Sequence, residues 1–237
     1  MNQKPKTVSR ETIADQAEAH IRSMVADGTL QPGERLNEAA IAESILISRG
    51  PVREAIKRLA GEGYLTMQTH HGAFVKSYEP REIVELYELR SALEMFAVRL
   101  AVRKATDDQI TQLSTALEAE QRRQESGASP SDTLTSGPYV AEFDFHQRLV
   151  ELGGNELIRK ELIEANLKLY LALRPTKRSE DRKHQSAVSH NHILKALRER
   201  EEETCVRLIG EHLMDSLRNS LQVMNLESTL NDERTLS

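Results

Sequence analysis

The stretch Ser48-Arg49-Gly50-Pro51-Val52-Arg53-Glu54-Ala55-Ile56 constrains the fold of this chain more than any other. Ser48 is placed to offer its hydroxyl to an unpaired amide of a first helical turn. Arg49 and Arg53, four residues apart, share one helix face, while Val52, Ile56 and Leu59 repeat at helical spacing on a separate apolar stripe suited to a core. Two arginines at a helix start, with no acid between them, match phosphate and guanine contacts in a DNA major groove. Taken alone, the same residues also describe a solvated cationic helix end.

The flanking segments narrow the choice. Upstream, Asp27-Gly28-Thr29-Leu30-Gln31-Pro32-Gly33 reads as a helix stop followed by a Pro-Gly turn, and Asn37 caps a short helix through Ser44. Downstream, Gly61-Glu62-Gly63 ends the arginine-bearing helix. Tyr64–Gln68 and Ala73–Lys76 then read as strands joined by Thr69-His70-His71-Gly72. Helix, helix, recognition helix and hairpin wing in this order predict a winged helix-turn-helix.

Residues from about 10 to 78 resemble the DNA-binding domain of the GntR family of bacterial transcription regulators. The resemblance runs through Gly28-x-Leu30-x-Pro32-Gly33-x-Arg35-Leu36, Ser48-Arg49-x-Pro51-Val52-Arg53-Glu54-Ala55, Leu59-x-x-Glu62-Gly63 and Gly72-x-Phe74-Val75. It implies that Arg35, Ser48, Arg49, Gly50, Arg53 and the wing pair His71-Gly72 contact double-stranded DNA. The chain departs from the family at Ile45-Leu46-Ile47, where a small or glycine-containing turn is usual.

Composition fits a helix-rich cytoplasmic regulator. The 237 residues are 38% hydrophobic and 29% charged, and no apolar run is long enough to span a bilayer. The single cysteine, Cys205, cannot form an internal disulfide, as expected in a reducing compartment. The net charge of −5 is unevenly divided: residues 1–78 carry ten Lys and Arg against nine Asp and Glu. Arg49, Arg53, Lys57 and Arg58 cluster on the recognition segment, and local field governs approach to a phosphate backbone.

The remainder reads as helical throughout, so the expected fold class is mainly α: a winged helix-turn-helix, then an antiparallel helical bundle. Domain boundaries are expected at 1–78 for DNA binding, 79–81 for a linker, 82–224 for the bundle and 225–237 for a frayed tail. Six helices are expected in the bundle. They run from Pro80 to about Lys104, from Thr106 to Gln124, Tyr139 to Leu152, Asn155 to about Arg174, Arg182 to Arg200 and Glu202 to Met224. Glu125 to Pro138, rich in Ser, Gly, Pro and Thr, reads as a loop.

Three histidines carry the chemistry of this half. Glu142 and His146 are one helical turn apart, and His146 shares its face with Leu149, Val150 and Gly153. His190 shares its face with Ile193, Leu194 and Leu197, and His212 follows Leu208 and Ile209. Three imidazoles and a carboxylate aimed into one bundle make a divalent transition-metal site with open positions. Individually, each histidine reads more readily as a satisfied core or boundary residue. Arg90 interrupts the apolar face of the first bundle helix, and a guanidinium there needs an anion. Either Glu94, four residues on, or the carboxylate of a small organic acid satisfies it.

Residues 80–224 resemble the FCD effector-binding domain of FadR-like GntR regulators, the six-helix VanR-type subgroup. Phe145-His146 with Gly154-Asn155, His190 before Ile193-Leu194-Lys195-Ala196-Leu197, and His212-Leu213 carry that resemblance. It implies a metal held by His146, His190 and His212 and by an acid four residues before the first, a position that Glu142 occupies in place of aspartate. A three-histidine site without Glu142 is the alternative. Asp144, two residues from His146, falls on the wrong side of an ideal helix. Zinc suits these ligands best, and nickel and manganese use overlapping sets. The resemblance further implies a homodimer on an inverted-repeat operator, modulated by a small carboxylate effector. Two rivals stand beside this regulator: a DNA-binding dimer whose helices are only a scaffold, and a metal-dependent hydrolase. The hydrolase lacks a general acid or base separate from the ligands, so no enzymatic role is expected.

Overall fold

Thr12 starts the first ordered helix by a reciprocal cap: its hydroxyl accepts from the Asp15 amide at 3.1 Å while the Asp15 carboxylate accepts from the Thr12 amide at 2.8 Å. The computed structural model describes residues 12–125, 140–173 and 180–224, and divides the chain into two compact units between Ser77 and Tyr78.

In the first unit, α1 (Ile13–Asp27) buries Ala17, Ile21 and Val25 and stops at Gly28, whose φ of 91° is left-handed. α2 (Glu38–Ser44) is capped by Asn37, which accepts from the amides of Ala39 and Ala40. α3 (Arg49–Gly61) packs on α1, α2 and the wing through Val52, Ala55, Ile56 and Leu59. Ser48 occupies the N-cap position of α3 but makes no side-chain capping bond, contrary to expectation. The cause is Pro51: it stands at the third helical position, where a serine cap normally finds its amide, and proline has none.

The wing is the antiparallel pair β1 (Leu65–Gln68) and β2 (Gly72–Val75), in register Leu65 to Val75 and Gln68 to Gly72. Gly72 therefore belongs to the strand rather than to the turn. Glu34 and Leu36 bond alongside β2, and an isolated bridge joins Arg35 to Phe74.

The second unit contains α4 (Pro80–Lys104), α5 (Asp107–Glu125), α6 (Val140–Leu152), α7 (Glu156–Leu173), α8 (Glu180–Arg198) and α9 (Glu202–Val223). α4 starts at Pro80 as the helix pattern predicts, so of the expected linker 79–81 only Glu79 precedes the helix, and proline's missing amide costs nothing in the first turn. α8 begins before the expected Arg182. The loop expected to Pro138 from residue 126 on, the connector before residue 180 and the tail from Asn225 lie outside the described residues.

α4 runs against α6, α7 and α9, and α8 packs on α5 and α9. Two apolar clusters divide the bundle along α4. Ile83, Val84 and Tyr87 join Leu169, Leu173, Leu217 and Leu221; Val98, Ala101 and Val102 join Phe145, Leu149, Ile193, Ile209 and Leu213. Arg90 and Glu94 sit between them, fully buried. The turn from α6 to α7 approaches α4 closely: a Cβ at Gly153 would lie 2.9 Å from the Ala97 carbonyl oxygen and 3.1 Å from Leu100 Cβ.

Candidate metal centre and nucleic-acid interface

α3 presents Ser48, Arg49, Gly50 and Arg53 at its exposed N-terminal end. A Cβ at Gly50 would meet no atom of the protein, so packing does not require glycine there. Arg53 Nε donates to Glu38 Oε2 of α2 at 2.6 Å, which holds the guanidinium in front of the helix while leaving the side chain 61% exposed. Arg58, counted by sequence among the clustered cations, is instead committed to Asp15 and Glu54. On the wing, the Arg35 guanidinium lies about a van der Waals contact from where a Gly72 Cβ would stand (3.5 Å to Nε), and His71 is exposed. The structure thus joins Arg35 to the wing tip and groups the α3 residues at one helix end.

In the helical unit, His146, His190 and His212 come from α6, α8 and α9 and are all buried. Their Nε2 atoms converge: His146 to His212 is 3.1 Å and His190 to His212 is 3.2 Å. An ion bound at about 2.1 Å to each nitrogen separates right-angle donors by roughly 3.0 Å and tetrahedral donors by roughly 3.4 Å, a range that includes both distances. Phe145 stacks on His190 with ring centroids 3.9 Å apart and fixes its plane.

Behind the histidines stands a buried charge chain. Arg90 donates through Nε to Glu94 Oε1 at 3.0 Å, and Glu94 Oε2 accepts from His146 Nδ1 at 2.5 Å. Of the two anions open to Arg90 by sequence, Glu94 is the one it holds. Burial would raise the Glu94 pKa, but His146 and Arg90 outweigh it and keep the carboxyl below the ordinary range. Burial lowers the His146 pKa despite Glu94, and burial with the neighbouring histidines and the Arg182 and Arg90 charges lowers that of His212 strongly. Both imidazoles are therefore neutral at neutral pH, the form that binds metal.

A single proton serves this arrangement poorly. His146 donates from Nδ1 to Glu94, so its Nε2 offers a lone pair. His212 Nε2 faces that lone pair and the His190 nitrogen together, so its one N–H can serve them only as a shared, three-centre donor. His212 Nδ1 is also buried without a hydrogen-bond partner. A cation among the three Nε2 atoms would take a lone pair from each, although it would leave the His212 Nδ1–H without an acceptor, and the carboxylate–histidine pair behind His146 is the usual support for such a ligand. The donor set fits a transition metal.

The Glu142 side chain lies outside the described residues, although α6 carries residue 142 one turn before His146. Asp144 points away and pairs with Arg148 at 2.7 Å. Sequence reasoning weighed Glu94 only as a partner for Arg90. Its second contact, across 52 residues to His146, leaves no local signal. Buried Arg182, Ser186 and Asn166 were missed, because single polar residues on long helices look like surface positions.

Comparison with known proteins agrees with this architecture. The family model "Bacterial regulatory proteins, gntR family" matches residues 13–75, and "FCD domain" matches residues 85–215. The chain is similar to the Nta operon transcriptional regulator of Aminobacter aminovorans, at 33% identity over 82% of this chain and 88% of that one. It is also similar to the HTH-type transcriptional regulator LutR of Bacillus subtilis, at 28% identity over 65% and 74%. Among solved structures, E. coli McbR/YncC superposes with a TM-score of 0.70 at 23% identity, covering 89% of this chain and 98% of that one. A GntR regulator from Rhodococcus sp. RHA1 gives 0.73 at 22% identity, covering 88% and 97%. No helix among the described residues is long and apolar enough to cross a membrane. The chain belongs to the GntR family of bacterial transcription regulators and pairs that family's DNA-binding winged helix with an FCD domain.

Proposed function

We propose that this regulator is controlled through a divalent metal, best matched by zinc, held by His146, His190 and His212, at which a small carboxylic acid binds. The convergence of three buried imidazole nitrogens carries the reading. Glu142 supplies a further oxygen donor from one turn before His146. Glu94 orients His146, and Arg90 serves the site by fixing Glu94. The bound ion supplies a Lewis-acidic position for a carboxylate oxygen. The chain acts as a binding protein and not as a catalyst, since the buried acid beside the histidines is already engaged on both oxygens.

The DNA contacts follow the exposed α3 end and the wing. Arg49 and Arg53 reach base edges and phosphates, Gly50 allows close approach of the backbone, and Arg35, His71 and Gly72 track the adjacent groove. A homodimer places two such units on an inverted repeat. The outer face of α4 offers the surface for it: Leu89 and Phe96 are 43% and 52% exposed, with Ala92 and Leu93 on the same stripe.

The test is metal content after purification without added metal or a histidine tag, joined to operator binding. About one equivalent per chain, lost in His190→Ala, together with acid-sensitive operator affinity, supports the reading. Metal-free protein that zinc neither binds nor stabilises would leave the helices as a dimer scaffold.

A further inference from the structure

The exposed face of α3 carries Arg49, Arg53 and Lys57 at successive turns. These three cations are not equivalent. Among the described residues, Arg53 alone of the three has a carboxylate partner: its Nε donates to Glu38 Oε2 of α2 at 2.6 Å. Glu38 is itself held from both sides. Two residues earlier, the Leu36 amide donates to the Ala73 carbonyl of the wing at 2.9 Å, and Asn37 caps α2 by accepting from the amides of Ala39 and Ala40. Ile41 and Ala42 bury the inner face of α2, as Val52 and Ile56 bury that of α3. Both ends of the Arg53–Glu38 bond therefore stand on packed backbone. With Nε taken, Nη1 and Nη2 are the donors that the guanidinium presents outward.

We propose that Glu38 is a positioning residue that makes Arg53 a reader of bases rather than a phosphate contact. The assignment rests on the reading of Arg53 as a DNA contact above. A phosphate draws an arginine through net charge, and the carboxylate beside Arg53 cancels that charge at distances beyond the pair. A guanine edge is neutral and presents two acceptors, O6 and N7, which call for a directed pair of donors. A guanidinium fixed at Nε supplies that pair, with its side-chain freedom already given up in folding. Arg49, one turn earlier, has no such tether and keeps both its charge and its rotamers, which suits a phosphate. Arg58 marks the other extreme: Asp15 and Glu54 together draw it away from the exposed end of the helix.

Full-length protein bound to a duplex library with randomised positions, and the bound fraction sequenced, tests the assignment. Wild type should prefer guanine at one position of each half-site by at least about tenfold, and Arg53→Ala should erase that position alone. Glu38→Ala should reduce the same preference to below about threefold while every other position keeps its wild-type preference. Glu38→Gln should retain it, because the glutamine Oε1 still accepts from Nε. Binding to an alternating A·T duplex should tighten in both Glu38 variants and grow steeper in salt by about one ion per recognition helix. A Glu38→Ala profile identical to wild type overturns the proposal alone. Flattening of all positions together overturns it as well, since Glu38 would then support α2 rather than aim Arg53. Adding Glu38→Ala to Arg53→Ala should change no position further; a further change means that Glu38 acts without Arg53, and the proposal falls. If Arg53→Ala leaves every position unchanged, the DNA-contact reading of Arg53 falls together with the proposal. Glu38→Gln keeps the bond between α2 and α3, so an unchanged salt dependence in that variant overturns the charge argument even if Glu38→Ala does not fold.

Discussion

At the scale of single residues, two positions near the recognition helix separate folding from function. Leu46 holds φ at 56° and is 93% exposed, so the helix-turn-helix keeps its turn although glycine is absent from it. A left-handed leucine costs about 1–2 kcal/mol, part of which glycine would give back by loosening the unfolded chain. Leu46→Gly should therefore stabilise the winged unit by about 0.5–1 kcal/mol in urea unfolding. A loss of stability would mean that Leu46 contributes packing its exposure does not suggest. Gly50 gives the opposite test. Alanine meets nothing there in the protein and favours helix by up to ~1 kcal/mol, so Gly50→Ala should fold at least as well as wild type. Its operator affinity should fall by about tenfold in a binding titration if DNA backbone passes over this residue. Equal affinity would remove Gly50 from the interface. The helix that carries Arg49 and Arg53 was legible in sequence because a spacing of four and an apolar stripe are local signals. The failed serine cap was legible too, in principle, from Pro51 three residues on.

At the scale of elements, the proposed metal centre depends on how α4 supports α6. Glu94 bridges Arg90 on its own helix and His146 on the next. Glu94→Gln removes the charge that orients His146 and leaves Arg90 buried without its anion. Zinc affinity should fall by about 10–100-fold in calorimetric titration. Stability should fall by about 3–5 kcal/mol, the usual cost of breaking a buried ion pair from one side. Wild-type zinc affinity in a folded variant would reduce Glu94 to a structural partner of Arg90. Sequence periodicity found the helices of this unit and the inward faces of all three histidines, because 3.6-residue spacing encodes which side of a helix is buried. It could not pair α8 with α9 or α4 with α6. Those pairings arise from tertiary packing across 22 residues for His190 and His212, and across 52 for Glu94 and His146.

At the scale of the whole molecule, the two units should respond differently to metal. Zinc at about a thousandfold above its dissociation constant stabilises whatever binds it by ~4 kcal/mol. Hydrogen exchange should therefore slow in α4, α6, α8 and α9, while α1 to α3 remain at their metal-free rates. Equal protection of both units would show that they unfold together. Dimer formation is tested apart from metal by Phe96→Glu, which places a charge on the most exposed large residue of the α4 stripe. The variant should sediment as a monomer and bind half-sites without the cooperativity of wild type; an unchanged dimer would move the interface elsewhere. The close approach at Gly153 has a consequence for how such a protein can diverge. A single methyl group there pushes against the backbone of α4, the helix that carries Glu94, two turns along α6 from His146. A descendant could keep all three histidines and still lose their convergence, and a comparison of those residues alone would score it as intact.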